Sequence, residues 1–287
     1  MTAALTVARS NFHKELVQKE TLSLSEDGVA SNADKSQKTS VAIALSIAKE
    51  LSATVTPKKL DGQRAGKQFE EAVEGFLSQS FPVFQSLRPG DWVIKNVGGS
   101  RAEYQISKYE PYTHLADLAN AIKSDRNLAS VLGNSYEISP DILVLRNPES
   151  DETINRYQDL VDSDFGRYAV IRKTNQEQPI VHAIVSCKWT LRSDRAQNAR
   201  SEALNVIRNR KGRTPHIAVV TGEPSPSRLA SLALGTGDID TVYHFALPEL
   251  IQAVKETEND EAISMLRTLI SGKRLRDISD LPLDLTV

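Results

Sequence analysis

Cysteine is nearly absent from this 287-residue chain and occurs only at Cys187. A single cysteine excludes an internal disulfide framework and any zinc site built from paired cysteines. It fits a reducing compartment, so we expect a cytoplasmic protein. No apolar stretch approaches the roughly 20 residues of a membrane span, and the mixed residues from Met1 to Lys14 do not form an export signal. We therefore expect an unexported protein without a membrane partner.

Net charge is also nearly absent, since 35 Lys and Arg residues stand against 37 Asp and Glu residues for a formal charge of −2. This balance argues against a simple nucleic-acid coat, which would be strongly basic. Residues 188–213 differ, because they carry eight basic residues against Asp194 and Glu202. A basic patch on a near-neutral protein indicates a docked polyanion. Its members are Lys188, Arg192, Arg195, Arg200, Arg208, Arg210, Lys211 and Arg213.

Apolar runs with strand propensity alternate with amphipathic helical patterns along the chain. The length allows one large or two smaller domains. Because no long low-complexity linker interrupts the chain, we expect residues 1–287 to form one domain. The alternation predicts an α/β or α+β fold with a mixed central sheet flanked by α-helices. We predict strands at 92–94, 142–145, 168–172, 180–188, 216–221 and 241–245. Helices are predicted at 41–53, 63–78, 113–131, 196–208, 227–234, 248–256 and 261–269. The polar segments 27–39 and 149–164 are expected to be an exposed loop and a solvent-facing insertion.

Two predicted strands bear charged residues at their ends. Asp141 begins one strand directly after Pro140, and Lys188 ends another. Strand alternation places Ser186 on the same face as Lys188. Glu202 falls on the next predicted helix. Phosphodiester hydrolysis needs a carboxylate that holds Mg²⁺, a positive group near the water or phosphate, and often a second carboxylate. Asp141, Lys188 and Glu202 supply these groups if the two strands are neighbours.

This pattern resembles the PD-(D/E)xK nucleases, in which Pro-Asp is followed at a distance by an acid, any residue and Lys. Ser186 occupies the position of the acid, so the second carboxylate must come from elsewhere. Each residue also has a purely structural interpretation. Asp141 could be a turn residue, and Lys188 could extend its ammonium group into solvent from a strand end. Glu202 could pair with Arg195 or Arg200 on a solvated helix face. We expect Cys187 to be buried, and its backbone carbonyl is the group that we consider as a metal ligand.

The run Arg192-Ser193-Asp194-Arg195 follows this candidate catalytic strand. Arginine can donate two hydrogen bonds to guanine O6 and N7, and aspartate can accept from cytosine N4. These residue types therefore suit recognition of G·C pairs. The structural alternative is a surface network of ion pairs, which would contribute little free energy.

The whole chain resembles the type II restriction endonucleases of the PD-(D/E)xK superfamily. The resemblance rests on the stretches Ser31–Asp34, Arg88–Trp92, Ser186–Thr190, Arg192–Glu202 and Asp277–Pro282. It implies a restriction-endonuclease-like core and Mg²⁺-dependent hydrolysis of double-stranded DNA at a GC-rich six-base palindrome. The implied palindrome is GCCGGC, cut to leave 5′ overhangs. It also implies a homotetramer, a dimer of dimers, that acts beside a cognate DNA methyltransferase.

The same resemblance assigns residue roles. It implies that Asp141 is a direct metal ligand beside the Cys187 carbonyl, that Ser186 and Lys188 lie at the scissile phosphate, and that Glu202 and Glu70 are supporting carboxylates. Periodicity does not distinguish Glu70 from Glu71. For base recognition, the resemblance places Arg192, Asp194 and Arg195 on the inner CCGG pairs, Asp34 and Arg228 on the outer G·C pair, and Gln63 in the minor groove.

Two other functions remain open from the residues. Because Ser186 replaces the acid of the motif, the chain could be a catalytically inactive, sequence-specific DNA-binding protein with a nuclease-like fold. The second alternative is a repair or junction nuclease that reads DNA shape. No nucleotide cofactor is expected, because Gly235-Thr236-Gly237 lacks the remaining residues of a dinucleotide fingerprint.

Overall fold

A six-stranded mixed sheet forms the centre of the computed structural model, which describes residues 2–57, 60–98, 105–124, 127, 130–131, 138–191, 193–235 and 237–287. The strands occur in chain order across the sheet. The pairs β1–β2 and β2–β3 are antiparallel, whereas β3–β4, β4–β5 and β5–β6 are parallel. Their bounds are β1 Trp92–Asn96, β2 Ile142–Arg146, β3 Ile180–Lys188, β4 His216–Thr221, β5 Thr241–His244 and β6 Leu275–Asp277.

Helices flank this sheet, which confirms the predicted architecture. The described α-helices are α1 Ala4–Gln18, α2 Lys38–Glu50, α3 Gly62–Ser80, α4 His114–Ser124, α5 Asp151–Ile154, α6 Ser193–Asn209, α7 Pro226–Ala233, α8 Leu247–Glu256, α9 Asp260–Ser271 and α10 Leu281–Asp284. Short 3-10 helices cover Phe81–Phe84, Gln105–Lys108 and Ile278–Asp280. Within these ranges, no helix combines the length and the apolar character that a membrane crossing requires.

Aromatic contacts join the helices to the sheet in the core. The ring of Phe12 in α1 lies 6.4 Å from that of Phe69 in α3, measured between centroids. Phe69 lies 5.0 Å from Trp189, which follows β3, and Trp189 lies 5.4 Å from Phe245, which follows β5. This chain of rings holds α1 and α3 beside the end of β3, where the candidate catalytic residues lie.

Most predicted elements agree with the structure, and the differences are few. The predicted strand 168–172 is wrong: these residues form turns, with Tyr168 95% exposed and Arg172 in an isolated bridge to Glu149. Helices α1, α5 and α10 and strand β6 were not predicted, and the segment 27–39, predicted as an exposed loop, buries Ala30 and Asn32. The predicted helix 113–131 is seen as His114–Ser124, and part of its remainder lies outside the described residues.

The strand directions decide which residues meet. Because β2 runs antiparallel to β3, the start of β2 lies beside the end of β3, with Ile142 opposite Val185. Because β3 and β4 are parallel, Lys188 and Thr221 share the same sheet end, opposite each other in the register. Asp141, Lys188 and the loop after Thr221 therefore converge at one end of the sheet.

Candidate active site

The carboxylate of Asp141 collects three donors from the end of β3. Its Oδ2 accepts hydrogen bonds from the Cys187 backbone N–H at 2.7 Å, from Lys188 Nζ at 3.2 Å and from Ser186 Oγ at 3.3 Å. The second oxygen, Oδ1, stands outside this set of bonds. The structure thus brings Asp141 to Ser186 and Lys188, as expected if β2 and β3 are neighbours.

Glu202 completes this group from α6. Its Oε2 lies 3.7 Å from Lys188 Nζ and 3.5 Å from Ser186 Oγ. The buried face of α6 consists of Ala199, Ala203 and Val206. With this face packed on the core, Glu202 lies near the end of β3. Burial lowers the pKa of Lys188, but the charges of Asp141 and Glu202 outweigh burial and raise it overall. Lys188 is therefore a firmly protonated cation between two carboxylates.

Glu70 approaches the same group from α3, across Gly98. A Cβ on Gly98 would lie 2.8 Å from Glu70 Oε2 and 3.4 Å from the Asp141 Cα, so a larger residue here would require the Glu70 carboxylate to move. The Val97 and Gly98 N–H groups donate to the Asp141 carbonyl at 2.8 and 3.1 Å. Burial, with the charge of Asp141, raises the pKa of Glu70 to about 7. Gly98 was missed from the sequence, although Gly98-Gly99 after a strand marks a close backbone approach.

The donor set fits a hard divalent cation. Burial raises the pKa of Glu202, as it does that of Glu70, because both carboxylates lie in a partly desolvated group near Asp141. A divalent cation would relieve this crowding of negative charge. Among the residues that the structure describes, no three His, Cys, Asp or Glu side chains are placed to hold a metal unaided. Such a site suits an ion that keeps several waters and takes phosphate oxygens, binding through one or two carboxylates.

Cys187 is the free cysteine at this site. Its side chain is buried, and burial raises the pKa of its thiol well above the usual value, so the thiol stays protonated and unreactive. The backbone N–H is used by Asp141. The role of its carbonyl as a metal ligand stays a prediction.

A second group of predicted residues lies at the same end of the sheet. Arg228, in the first turn of α7, forms an ion pair with Asp34 through Nη2 and Oδ2. Hydrogen bonds from Ser36, with the charge of Arg228, lower the pKa of Asp34 to about 2. Asp34 and Arg228 line a cavity of about 490 Å³ together with Trp189 and Thr190. The predicted outer-base residues are thus in direct contact, beside the catalytic strand end.

Gln63 is exposed in the first turn of α3, where Gly62 and Ala65 line the same cavity. Arg192 lies outside the described residues. The backbone of Asp194 and Arg195 forms the first turn of α6, and their side chains lie outside the described part of the chain.

The eight basic residues of 188–213 do not form one patch. Arg200 donates to the carbonyls of Ser231 and Leu232 at 2.8 and 3.1 Å, so it joins α6 to α7, and the pairing of Glu202 with Arg200 is not formed. The 17 residues of α6 span about 25 Å, so Arg210, Lys211 and Arg213 lie at the opposite end from Lys188. The basic residues of 188–213 are thus spread over both ends of α6, and a polyanion docked along them stays a prediction.

Comparisons with known proteins identify a family for this chain. The family model described as NgoMIV restriction enzyme matches residues 12–287. The Type II restriction enzyme NgoMIV of Neisseria gonorrhoeae is 49% identical over 287 residues, which covers 100% of both chains.

Two solved structures also match. A crystal structure of the Type IIF restriction endonuclease Bse634I with cognate DNA matches at a TM-score of 0.39 and 14% identity, covering 85% of this chain and 92% of that chain. A complex of the restriction endonuclease PspGI with substrate DNA matches at a TM-score of 0.26 and 15% identity, covering 99% of this chain and 92% of that chain. On the full-length identity and the model match, this chain belongs to the NgoMIV restriction enzyme family, a family of type II restriction endonucleases.

Proposed function

We propose that this enzyme hydrolyses double-stranded DNA at GCCGGC in a Mg²⁺-dependent reaction and leaves 5′ overhangs. The observation that carries the chemistry is the convergence of Asp141, Lys188 and Glu202 at one strand end, with Glu70 behind them. The sequence specificity is inferred from the family and from the 49% identity to NgoMIV over the full chain.

Asp141 is the proposed direct ligand of Mg²⁺, with the Cys187 carbonyl beside it and Glu70 and Glu202 as supporting carboxylates. When bound, Mg²⁺ supplies positive charge to the scissile phosphate and acidifies water. Lys188 then orients the attacking water or the phosphate, and Ser186 holds the carboxylates through its hydroxyl. In-line attack forms a bond from water oxygen to phosphorus and breaks the bond to O3′, which leaves as a 3′-hydroxyl.

Base recognition is proposed to come from the residues around the cavity. Asp34 and Arg228 read the outer G·C pair, since an aspartate accepts from cytosine N4 and an arginine donates to guanine. Their contact in the free protein supports this pairing of roles. Arg192, Asp194 and Arg195 are proposed to read the inner CCGG pairs from the start of α6. Gln63 is proposed to contact the minor groove.

The enzyme is further proposed to act as a homotetramer, a dimer of dimers. A palindrome mirrors a two-fold axis, so two active sites face the two DNA strands. Residues 157–168 expose Tyr157, Phe165 and Tyr168 at 94%, 79% and 95%. This segment is nevertheless held in place, because Arg172 donates hydrogen bonds to the carbonyls of Phe165 and Asp162 at 2.7 and 2.8 Å. Exposed aromatic side chains on an anchored segment favour contact with a second copy.

We also propose that residues 1–287 work as one domain and that the enzyme acts in the cytoplasm beside a cognate DNA methyltransferase. The first proposal is supported by Arg9 of α1, which pairs with Glu249 in α8 and Asp277 at the end of β6. The second is supported by the family and by the free cysteine.

Digestion of a sequenced plasmid followed by mapping of the fragment ends tests the proposal. The wild type should cut at GCCGGC with Mg²⁺ and bind the same duplex without cutting in Ca²⁺. Asp141→Asn and Lys188→Ala should lower the cleavage rate at least about a hundredfold, which corresponds to about 2.7 kcal/mol of transition-state stabilisation. Asp91→Asn, at the opposite end of the β1–β2 pair, should cleave normally.

Three outcomes would contradict the proposal. Normal cleavage by Asp141→Asn or Lys188→Ala would show that the mechanism is wrong. Binding of GCCGGC without any cutting in Mg²⁺ would indicate a DNA-binding protein that has lost catalysis. Cuts at random positions in linear DNA would indicate a nuclease that reads shape.

A further inference from the structure

Glu223 is a fully buried carboxylate, with 0% of the residue exposed, in the loop between β4 and α7. It has no role in the chemistry described above. It lies between the two groups of proposed base-reading residues: Arg228 on one side and Leu191, which precedes Arg192–Arg195, on the other.

The contacts of Glu223 use both carboxylate oxygens. Oε2 accepts the backbone N–H of Leu191 at 2.8 Å and lies 3.7 Å from Arg228 Nη1. Oε1 accepts the backbone N–H of Ser225 at 3.1 Å. Arg228 uses its other terminal nitrogen, Nη2, for Asp34. A single carboxylate thus touches the backbone just before the inner-base segment and the guanidinium of the outer-base pair.

The neighbouring residues hold this carboxylate in place. Thr221 Oγ1 and the Gly222 N–H donate to the Lys188 carbonyl at 2.7 and 3.2 Å, which ties the loop to the catalytic strand. The Gly222 carbonyl accepts from Asn32 Nδ2 at 2.7 Å, which ties it to the loop of Asp34. Because the backbone is fixed on both sides, the Glu223 side chain has a defined direction.

The electrostatics agree with a functional placement. Burial raises the pKa of Glu223, although the Leu191 and Ser225 N–H groups and the charge of Arg228 act in the opposite direction. A buried acid with these partners is costly to keep ionised, and a neutral side chain of similar volume would often be as stable or more stable. Placement of Arg228 is a benefit that such a replacement would lose.

We propose that Glu223 is a positioning residue for DNA recognition, which fixes Arg228 for the outer base pair and the Leu191 backbone for the inner base pairs. This inference rests on the proposed function. The residue acts through Arg228 and Leu191 and does not itself contact DNA. Both parts of the recognition sequence are therefore read through one buried side chain.

Cleavage of short duplexes by Glu223→Gln tests the inference. The cleavage rates are compared on GCCGGC, on a duplex changed only in the outer pair, and on a duplex changed only in the inner pairs. The ratio of cognate to outer-changed cleavage should fall about tenfold, the discrimination lost with one good bidentate contact. The inner ratio should fall as well, whereas the rate at saturating cognate DNA should change by less than about threefold.

Glu249→Gln is the matched control, since Glu249 is also a buried carboxylate paired with an arginine, Arg9, at 2.6 Å. It should lower the melting temperature and leave both ratios unchanged. A double-mutant cycle adds a second test: with Arg228→Gln already present, Glu223→Gln should not lower the outer ratio further. Additive losses would overturn the coupling between Glu223 and Arg228.

Unchanged ratios in a folded Glu223→Gln variant would overturn the inference, even if its melting temperature falls. If that variant does not fold, Glu223→Asp, which keeps the charge and shortens its reach, should show the same two losses, and unchanged ratios would again overturn it. Failure of the proposed function is a different result, because the wild type itself would then cut no discrete site.

Discussion

Glu70 is a carboxyl group of the candidate active site whose surroundings disfavour its charged form. Burial beside Asp141 raises its pKa to about 7, whereas the same group in the unfolded chain titrates near 4.5. As the pH rises from about 4.5 to 7, the unfolded chain loses this proton while the folded protein retains it. The folded state therefore loses stability across this window. In the metal-free enzyme, Glu70 therefore lowers the free energy of unfolding above about pH 4.5.

Glu70→Gln should accordingly stabilise the metal-free protein by about 1–2 kcal/mol at pH 8 and by nothing measurable at pH 4. Urea unfolding at the two pH values measures this difference. Glu71→Gln is the control, because Glu71 lies 3.8 Å from Lys19 with both side chains 42% exposed, and it should change stability by less than about 0.5 kcal/mol. Equal stability of Glu70→Gln and wild type at pH 8 would show that the charge of Glu70 does not destabilise the folded protein.

Gly222 is a second residue whose identity is required by its surroundings. A Cβ at this position would lie 2.4 Å from Trp189 Cε3 and 2.9 Å from the Trp189 carbonyl oxygen, which is too close for any real contact. The Trp189 ring is buried and cannot move freely.

We expect Gly222→Ala to destabilise the protein by about 2–3 kcal/mol through overpacking and to change the Trp189 fluorescence. Gly66→Ala is the control, since a Cβ at this helical position meets nothing within 4 Å. Replacing a helical glycine there should leave stability unchanged or raise it by about 0.5–1 kcal/mol. Equal melting temperatures for the two variants would contradict the predicted clash.

At the level of elements, periodicity predicted those helices and strands that bury one face or both. In α3 the apolar residues Phe69, Val73 and Phe76 recur at helical spacing, and all are buried. Helix α1 was missed because its stripe is weak: only Ala8, Phe12, His13 and Leu16 are buried, and His13 is polar. The three-residue strand β6 is too short to show a period.

The wrong strand at 168–172 has a physical cause as well. Tyr168, Val170 and Ile171 have strand propensity, but propensity depends on a neighbouring strand and a packed face. Here Tyr168 and Val170 are 95% and 45% exposed. The segment is held through Arg172, which bonds to Asp151 and to the Phe165 carbonyl, so side-chain hydrogen bonds replace a strand ladder.

The candidate site was predictable where it depends on strand geometry. Alternation placed Ser186 with Lys188, and the antiparallel neighbour brought Asp141 to them. Glu70 required the family resemblance, because its choice over Glu71 depends on contact across Gly98, which is distant in sequence. Glu223 carries no signal in the sequence, since its burial follows from three loops that meet only in the folded chain.

One arginine ties α1 to two acidic residues in the C-terminal part of the chain. Arg9 bonds to Glu249 at 2.6 and 2.9 Å and to Asp277 at 2.9 and 3.0 Å. Burial raises the pKa values of both acids, but the bonds and charge of Arg9 outweigh it and hold both pKa values below their usual range. The stabilisation is thus present above the unfolded pKa values near 4 and is lost as the pH falls through the folded values.

Arg9→Met should therefore lower the free energy of unfolding at pH 7 by about 3–5 kcal/mol, because two buried carboxylates lose their partner. The difference from wild type should shrink as the pH falls through the lowered pKa values of both acids, because both then become protonated. Urea titrations at pH 7 and pH 3.5 measure it. Lys19→Met is the control: its ion pair with Glu15 is 42% and 32% exposed, so its loss should cost less than about 1 kcal/mol. A pH-independent loss in Arg9→Met would show that packing, and not charge, docks α1.

At the level of the whole molecule, the sheet separates the proposed catalytic residues from the proposed contact between subunits. Asp141 and Lys188 lie where β2 begins and β3 ends. The segment with the exposed aromatic residues connects the other ends of these strands, Arg146 and Ile180, which are paired in the register. The nine residues of β3 span about 30 Å, so this segment lies far from Asp141 and Lys188.

A variant carrying both Phe165→Ser and Tyr168→Ser should therefore form smaller particles by light scattering and still cut GCCGGC. Its melting temperature should change little, because both side chains are exposed in the single chain and contribute little to its core. The wild type, if it is a tetramer that holds two sites, should cut a two-site plasmid faster than a one-site plasmid, and the variant should lose this preference. Val83→Ser, at another exposed apolar residue with 58% exposure, should behave like the wild type in both measurements.

If the double variant kept the wild-type mass and its preference for two sites, the aromatic segment would not be the contact between dimers. A monomeric wild type that cuts both plasmids equally would instead disprove the tetramer itself.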